Sequence, residues 1–179
     1  MQNHGSRIPF SPISVEVTGK LHYRLYFEID DQFGTNQKAF EFLVDEASGI
    51  VTWQPAFEAA MGGDLSSSRH LVDCVSALDA IQSSRQSKGA ITPLAASQYF
   101  KPLCIELTLP GLYSVEFTYG GGGNTSQPMK VSLSVHGESV EVENVDQDAW
   151  FALADHQGFR DHVYAAVLAF DRARRQAEQ

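Results

Sequence analysis

The chain has 179 residues, and its 13 lysines and arginines against 22 aspartates and glutamates give a formal net charge of -9 at pH 7. A chain of this length suits one globular domain better than two. The acidity argues against a nucleic-acid ligand and against an anionic membrane surface, because both select proteins with a basic face. We therefore expect no nucleic acid and no membrane among the partners.

Export signals and cysteine motifs are missing from the sequence. The first twelve residues lack the charged start and apolar stretch of a secretory signal, and no run of about 18 apolar residues occurs. Cys74 and Cys104 do not have the spacing of zinc ligands, and two cysteines are too few for a disulfide framework. These features favour a cytoplasmic location.

Residues 1–12 are rich in turn-forming residues and show no hydrophobic periodicity. We therefore expect a flexible N-terminal segment over residues 1–12, followed by a single domain over residues 13–179. From Ile13 onward apolar and polar residues alternate, as in strands with one buried face. The apolar residues are Ile13, Val15, Val17, Leu21, Tyr23, Leu25, Phe27 and Ile29. Two short strands are predicted to complete a meander, at 40–44 and 50–53.

Two main helices are predicted. The first covers residues 66–86, where serines precede an apolar stripe at helical spacing. The stripe consists of Leu71, Cys74, Val75, Leu78 and Ile81, so we expect Cys74 to face the core. The second covers residues 147–176, with a break at Gly158. A short helix beginning at Pro55 is predicted between the first meander and the first main helix.

The second half of the chain repeats the order of strands followed by a helix. Its strands are predicted at 103–109, 112–119, 129–135 and 139–145. A duplication is compatible with this order, but without a residue-level repeat it carries little weight. Together the two halves predict an α+β domain. Its antiparallel strands, seven or eight in one or two sheets, form two meanders with the two main helices on the apolar face.

Turn lengths in the second half suggest how its strands pair, because the apolar residues must meet on one face. A three-residue loop at 110–112 places Glu106 opposite Glu116. A two-residue type II′ turn at 137–138 joins the last two strands. Two rows are then expected on the solvent side: Glu106, Glu116, Ser132 and Glu143 in one, and Thr108, Ser114, Ser134 and Glu141 in the other.

This acidic, hydroxyl-rich face has two interpretations. A like-charge pair such as Glu106 and Glu116 destabilises a ladder by a few tenths to about 1 kcal/mol, and only Lys130 lies close enough to relieve it. The face is either simply solvated or a docking surface for a cationic partner or a metal. The candidate partner-binding residues are Glu106, Glu116, Glu141, Glu143, Lys130 and His136.

Motifs for catalysis or for cofactor binding are not recognisable. The glycine run at 120–123 joins two predicted strands and lacks the lysine and the helix start of a phosphate-binding loop. His156 and His162 are about 600° apart around a helix, so they do not share a face as zinc-binding histidines do. We therefore expect no catalytic residue, no cofactor and no resident metal.

The missing motifs and the acidity together favour a non-enzymatic cytoplasmic protein-binding module, such as an immunity protein, an adaptor or a secretion chaperone, whose partner has a basic surface. The alternative is a small-ligand-binding protein or enzyme with a pocket between the sheet and the C-terminal helix. In that case Glu106, Glu116 or His136 supplies the acid–base chemistry. A nucleic-acid mimic is a third hypothesis, although the chain has no long regular array of charges.

Overall fold

A computed structural model describes residues 10–31, 34–62, 65–82, 100–119, 128–145, 149, 154 and 156–179. Within these ranges the chain forms one eight-stranded antiparallel sheet and three helices. The strands are β1 (Phe10–Gly19), β2 (His22–Asp31), β3 (Gly34–Val44), β4 (Val51–Trp53), β5 (Phe100–Leu109), β6 (Leu112–Tyr119), β7 (Pro128–His136) and β8 (Ser139–Val145). The helices are α1 (Pro55–Ala60), α2 (Ser68–Gln82) and α3 (Gln157–Ala177). The strand order is β4-β3-β2-β1-β5-β6-β7-β8, so the chain is an α+β fold in which two antiparallel meanders share one sheet.

The helices lie on one face of the sheet, because the alternating strands present their large apolar side chains to that side. Tyr23, Leu25 and Phe27 of β2 are fully buried there. The predicted apolar stripe of α2 is also buried, so Cys74 faces the core as expected. α2 and α3 pack against each other. Removal of these apolar surfaces from water stabilises the fold by roughly 25 cal/mol per Å².

The first strand begins earlier than its sequence pattern predicts. We expected the chain to enter the fold around Ile13, but β1 begins at Phe10. Phe10 is only 7% exposed, and its ring stacks on that of Phe27 with the centroids 4.5 Å apart. A β-bulge after Pro12 explains the difference, since it changes the parity of the apolar residues. The segment from Phe10 to Pro12 therefore belongs to the domain, and residues 1–9 lie outside the described part of the chain.

The start of the C-terminal helix differs from the expected break at Gly158. α3 begins at Gln157, with His156 at its N-cap in a non-helical conformation. Gly158 therefore lies in the first helical turn, where backbone N–H groups have no intrahelical partner and a glycine is tolerated. The predicted helical residues at 146–148, 150–153 and 155 lie outside the described residues, as does the predicted extension of α2 over 83–86.

The connection between β5 and β6 is not the predicted three-residue loop. It is a two-residue turn at 110–111, combined with a β-bulge at Thr108. Glu106 therefore pairs with Ser114 and not with Glu116. The predicted and the observed registers bury the same apolar residues, because they differ by a slip of two residues. The observed register avoids the like-charge pair that the predicted one contained.

The turn between β7 and β8 has the two residues predicted for it. Gly137 has a φ of 62°, the positive value that a type II′ turn requires at its first central position. Glu141 lies opposite Ser134 as expected. A β-bulge at Glu143 changes the next pairing, so that Ser132 does not face Glu143. The predicted row of Glu106, Glu116, Ser132 and Glu143 is therefore wrong.

The strand registers reveal a residue-level repeat between the two halves. Residues 10–29 and 100–119 form equivalent hairpins with β-bulges at matching places when positions 90 apart are compared. Six of these 20 positions carry the same residue in both hairpins. They are Phe10 and Phe100, Pro12 and Pro102, Glu16 and Glu106, Thr18 and Thr108, Tyr23 and Tyr113, and Phe27 and Phe117.

The same repeat extends to the two main helices. Residues 70–79 of α2 read HLVDCVSALD, and residues 162–171 of α3 read HVYAAVLAFD. Asp79 and Asp171 end the two segments, and each is 5% exposed. Since β1 and β5 are antiparallel neighbours at the centre of the sheet, a pseudo-twofold axis relates the halves. The pattern indicates an internal duplication of a unit of four strands and a helix.

Candidate functional site

The sheet face opposite the helices, called here the open face, carries most of the charged side chains of the strands. Strand alternation and register place seven glutamates there but only three cationic residues. They are Glu16, Glu28, Glu41, Glu106, Glu116, Glu141 and Glu143, with Arg24, Lys101 and Lys130. The helices cover the other face, where the buried apolar residues lie. The open face is therefore negative.

One row of open-face side chains crosses six strands, from β3 to β7. Its members are Glu41, Arg24, Glu16, Cys104, Glu116 and Lys130. In the first half Arg24 Nε lies 2.6 Å from Glu41 Oε1, and Tyr26 OH donates a hydrogen bond of 3.1 Å to Glu16 Oε2. In the second half Lys130 lies directly opposite Glu116. The charges of this row are thus partly compensated within the sheet.

The adjacent row consists of Ser14, Glu106, Ser114 and Ser132. Ser114 is 6% exposed, and its Oγ has no hydrogen-bond partner among the described residues. An unsatisfied buried hydroxyl costs about 1–3 kcal/mol, and the Ser114 Oγ is inaccessible to solvent in this conformation. Next to Ser114 lies the exposed carboxylate of Glu106. The centre of the open face therefore combines a negative charge with an unsatisfied hydroxyl.

Cys104 lies between these carboxylates, on the central strand β5. Burial raises the pKa of the Cys104 thiol, and the negative charges of Glu116 and Glu106 raise it further. Lys130 lowers it by a smaller amount. Because the thiolate is the nucleophilic form, these neighbours make Cys104 a poor nucleophile. The chemistry of the open face is therefore that of a charged surface rather than of thiol catalysis.

Three of the six predicted partner-binding residues meet at one corner of the open face. His136 ends β7, while Glu141 and Glu143 lie on β8. One ligand atom of each, an imidazole nitrogen or a carboxylate oxygen, lies within 4.8 Å of those of the other two. Glu143 Oε1 also accepts a hydrogen bond of 2.5 Å from Ser134 Oγ. We call these three residues the hairpin corner.

The other three predicted residues lie nearer the centre of the face. Glu106 and Glu116 occupy adjacent rows, and Lys130 is opposite Glu116 rather than diagonal to it. Turn lengths in the second half did not identify Glu16 and Arg24, because these residues join this surface through the pairing of β1 with β5, which is distant in sequence. Glutamate occurs at both position 16 and position 106, and this repeat at a spacing of 90 residues was a signal that could have placed Glu16 on the same surface as Glu106.

The space between the sheet and α3 is filled in the described part of the chain. Tyr113 packs edge-on against Phe170 with the centroids 5.9 Å apart, and Phe117 packs against Phe159 at 5.1 Å. None of these four side chains is more than 1% exposed. The residues that were expected to serve a pocket there, Glu106, Glu116 and His136, lie on the opposite face of the sheet.

Comparisons with known proteins identify no relative: no family model, no curated protein and no solved structure matches the chain. Among the described helices, none combines the length and the apolar character of a membrane-spanning segment. The open face is therefore the feature from which a function can be inferred.

Proposed function

We propose that this protein is a non-enzymatic cytoplasmic protein-binding module of the immunity, adaptor or secretion-chaperone type, and that its open face docks a partner with a basic surface. The observation that carries the proposal is the seven glutamates against three cations on that face. Such a surface accelerates association with a cationic protein and disfavours anionic partners, nucleic acids included.

The central rows of the open face support docking over simple solvation. Glu106 is exposed and has no cation paired with it in the described part of the sheet. A lysine or arginine of a partner can pair with it.

The alternative, a ligand-binding protein or enzyme, receives less support. Its pocket was expected between the sheet and α3, where Tyr113, Phe117, Phe159 and Phe170 fill the described space. The acid–base groups assigned to it lie on the other face of the sheet. This alternative would therefore need a different pocket and different residues.

The test begins with proteins retained by the full chain from a lysate of the native organism. Association rates of a retained partner are then measured for wild type, Glu116→Gln and Glu141→Gln at low and high salt. We expect both variants to associate severalfold more slowly at low salt and to lose part of the salt dependence. Each substitution keeps the side-chain shape and removes one charge.

A matched control is Glu58→Gln, on α1 and thus on the helix side of the sheet. Glu58 Oε1 accepts a hydrogen bond from Trp53 Nε1, and a glutamine retains an oxygen for that bond. Its association rate should equal that of wild type. If Glu116→Gln and Glu141→Gln also match wild type at both salt concentrations, the open face does not dock the partner.

A further inference from the structure

The hairpin corner brings an imidazole and two carboxylates together on the surface. The ligand atoms of His136, Glu141 and Glu143 lie within 4.8 Å of one another. Atoms bound to one divalent ion at about 2.0–2.2 Å are somewhat closer together than this, so small side-chain rotations are sufficient. All three residues are exposed, and an ion can reach them from solvent.

The two carboxylates of the corner have no cationic partner among the described residues. α3 brings two arginines to this hairpin, but Arg172 pairs with Glu138 in the turn and Arg175 donates a hydrogen bond of 3.2 Å to the carbonyl oxygen of Gly137. Glu141 and Glu143 therefore keep their negative charges side by side on one strand face. A bound cation would relieve this repulsion.

The hairpin also holds its ligands in place. Ser134 is 5% exposed, and its Oγ donates to Glu143 Oε1 at 2.5 Å, which leaves the second carboxylate oxygen free for an ion. Hydrogen bonds of this kind orient the carboxylate ligands of metal sites. The two-residue turn at Gly137 fixes the distance between His136 on β7 and the glutamates on β8.

We propose that His136, Glu141 and Glu143 form a binding site for one divalent transition-metal ion, with Zn²⁺ as the best match. A neutral imidazole with two carboxylates suits zinc and its neighbours, whereas Ca²⁺ and Mg²⁺ prefer sites made entirely of oxygen atoms. Three protein ligands leave a coordination position for water or for a side chain of another molecule.

The first half of the chain contains a natural comparison. In the β3–β4 hairpin the positions equivalent to the three ligands hold Asp45, Thr52 and Gln54. Asp45 Oδ1 accepts hydrogen bonds from Ser48, and Gln54 Oε1 accepts one from the backbone N–H of Glu41. This set has one carboxylate and no imidazole, so the metal-binding set is a feature of the second half alone among the described hairpins.

The proposed metal site shares Glu141 with the proposed docking face. The experiment therefore uses no partner protein. The full chain, freed of any affinity tag and treated with a chelator, is titrated with Zn²⁺ by calorimetry and with Co²⁺ by visible absorption. We expect one ion per chain and a Co²⁺ absorption spectrum of a site with nitrogen and oxygen ligands. His136→Ala and Glu143→Gln should each weaken binding by at least about tenfold.

Two matched controls separate ligation from general electrostatic attraction. Glu106→Gln removes a charge from the same face, and His22→Ala removes another exposed histidine. Both should bind Zn²⁺ like wild type, and circular dichroism should show every variant folded. Binding that weakens equally in Glu106→Gln and Glu143→Gln, or that Ca²⁺ matches in affinity, would overturn the proposal. So would an affinity unchanged by His136→Ala.

Discussion

Tyr23 and Tyr113 occupy equivalent positions in the two halves of the sheet, and both are fully buried. Tyr23 OH accepts a hydrogen bond of 2.6 Å from the neutral amide of Gln82. Tyr113 OH donates one of 2.7 Å to the carboxylate of Asp171, which also pairs with Arg175. The ring is retained because the core is densely packed, whereas the helix residue equivalent to Gln82, 92 positions later, is Arg174.

The open face has diverged further than the core. Arg24 of the first half corresponds to Ser114 of the second, and Tyr26 corresponds to Glu116. By contrast, the equivalent positions 16 and 106 both hold a glutamate. Packing constrains the buried positions but leaves the open ones free to change. The comparison indicates that the two halves share a structural plan and differ where a partner or an ion can reach them.

The largest expected effects come from equivalent core positions of the two helices. Leu78 of α2 and Phe170 of α3 are at most 1% exposed and lie 92 residues apart. We expect Leu78→Ala to reduce the free energy of unfolding by about 2–5 kcal/mol, and Phe170→Ala by about 3–5 kcal/mol. Chemical denaturation measures both. A loss below about 1 kcal/mol for either would mean that its helix does not contribute to the core as described.

Removal of the buried hydroxyl group of Tyr113 should destabilise the fold. Tyr113→Phe deletes a hydrogen bond to a carboxylate and should cost about 1.5–3 kcal/mol. A loss below about 0.5 kcal/mol in urea denaturation would contradict this buried hydrogen bond. Asp171→Asn in the Tyr113→Phe background would show how much of the loss depends on the carboxylate.

His162 of α3 should make stability depend on pH. It is 3% exposed, and burial lowers its pKa below the ordinary value of 6.5. Below pH 6.5 the His162 imidazole is therefore protonated more readily in the unfolded chain than in the folded one. The stability of the fold that is present above that pH is lost as the pH falls. The free energy of unfolding should decrease from pH 7 to pH 5, with a smaller slope in His162→Gln. His22→Gln, at an exposed position, should keep the wild-type slope.

The smallest effect concerns the two thiols. Cys104 is half-buried on the open face, whereas Cys74 is completely buried beneath α2. A thiol reagent should label Cys104 in the native protein and Cys74 only after unfolding. Because Glu116 raises the pKa of the Cys104 thiol, Glu116→Gln should lower it and increase the labelling rate. Mass spectrometry of the labelled peptides distinguishes the two sites, and early labelling of Cys74 would contradict its burial.

Local patterns determined much of the fold. Alternation of apolar residues located most of the strands, and helical spacing identified the buried face of α2, because both periods follow from backbone geometry. The two-residue turn at Gly137 could also be predicted, since an even-numbered loop brings the apolar residues of β7 and β8 to the same side and a glycine suits the first position of a type II′ turn. This turn and the β-bulge at Glu143 together bring His136, Glu141 and Glu143 close to one another. The bulge could not be predicted from the sequence.

Tertiary structure alone decided the strand registers and the neighbours of each open-face residue. Apolar alternation selects a face but does not distinguish two registers that differ by two residues, which is why Glu106 was expected opposite Glu116. The pairing of β1 with β5 depends on contacts between segments about 90 residues apart. Those contacts place Glu16 beside Cys104, and they make one sheet of two duplicated halves.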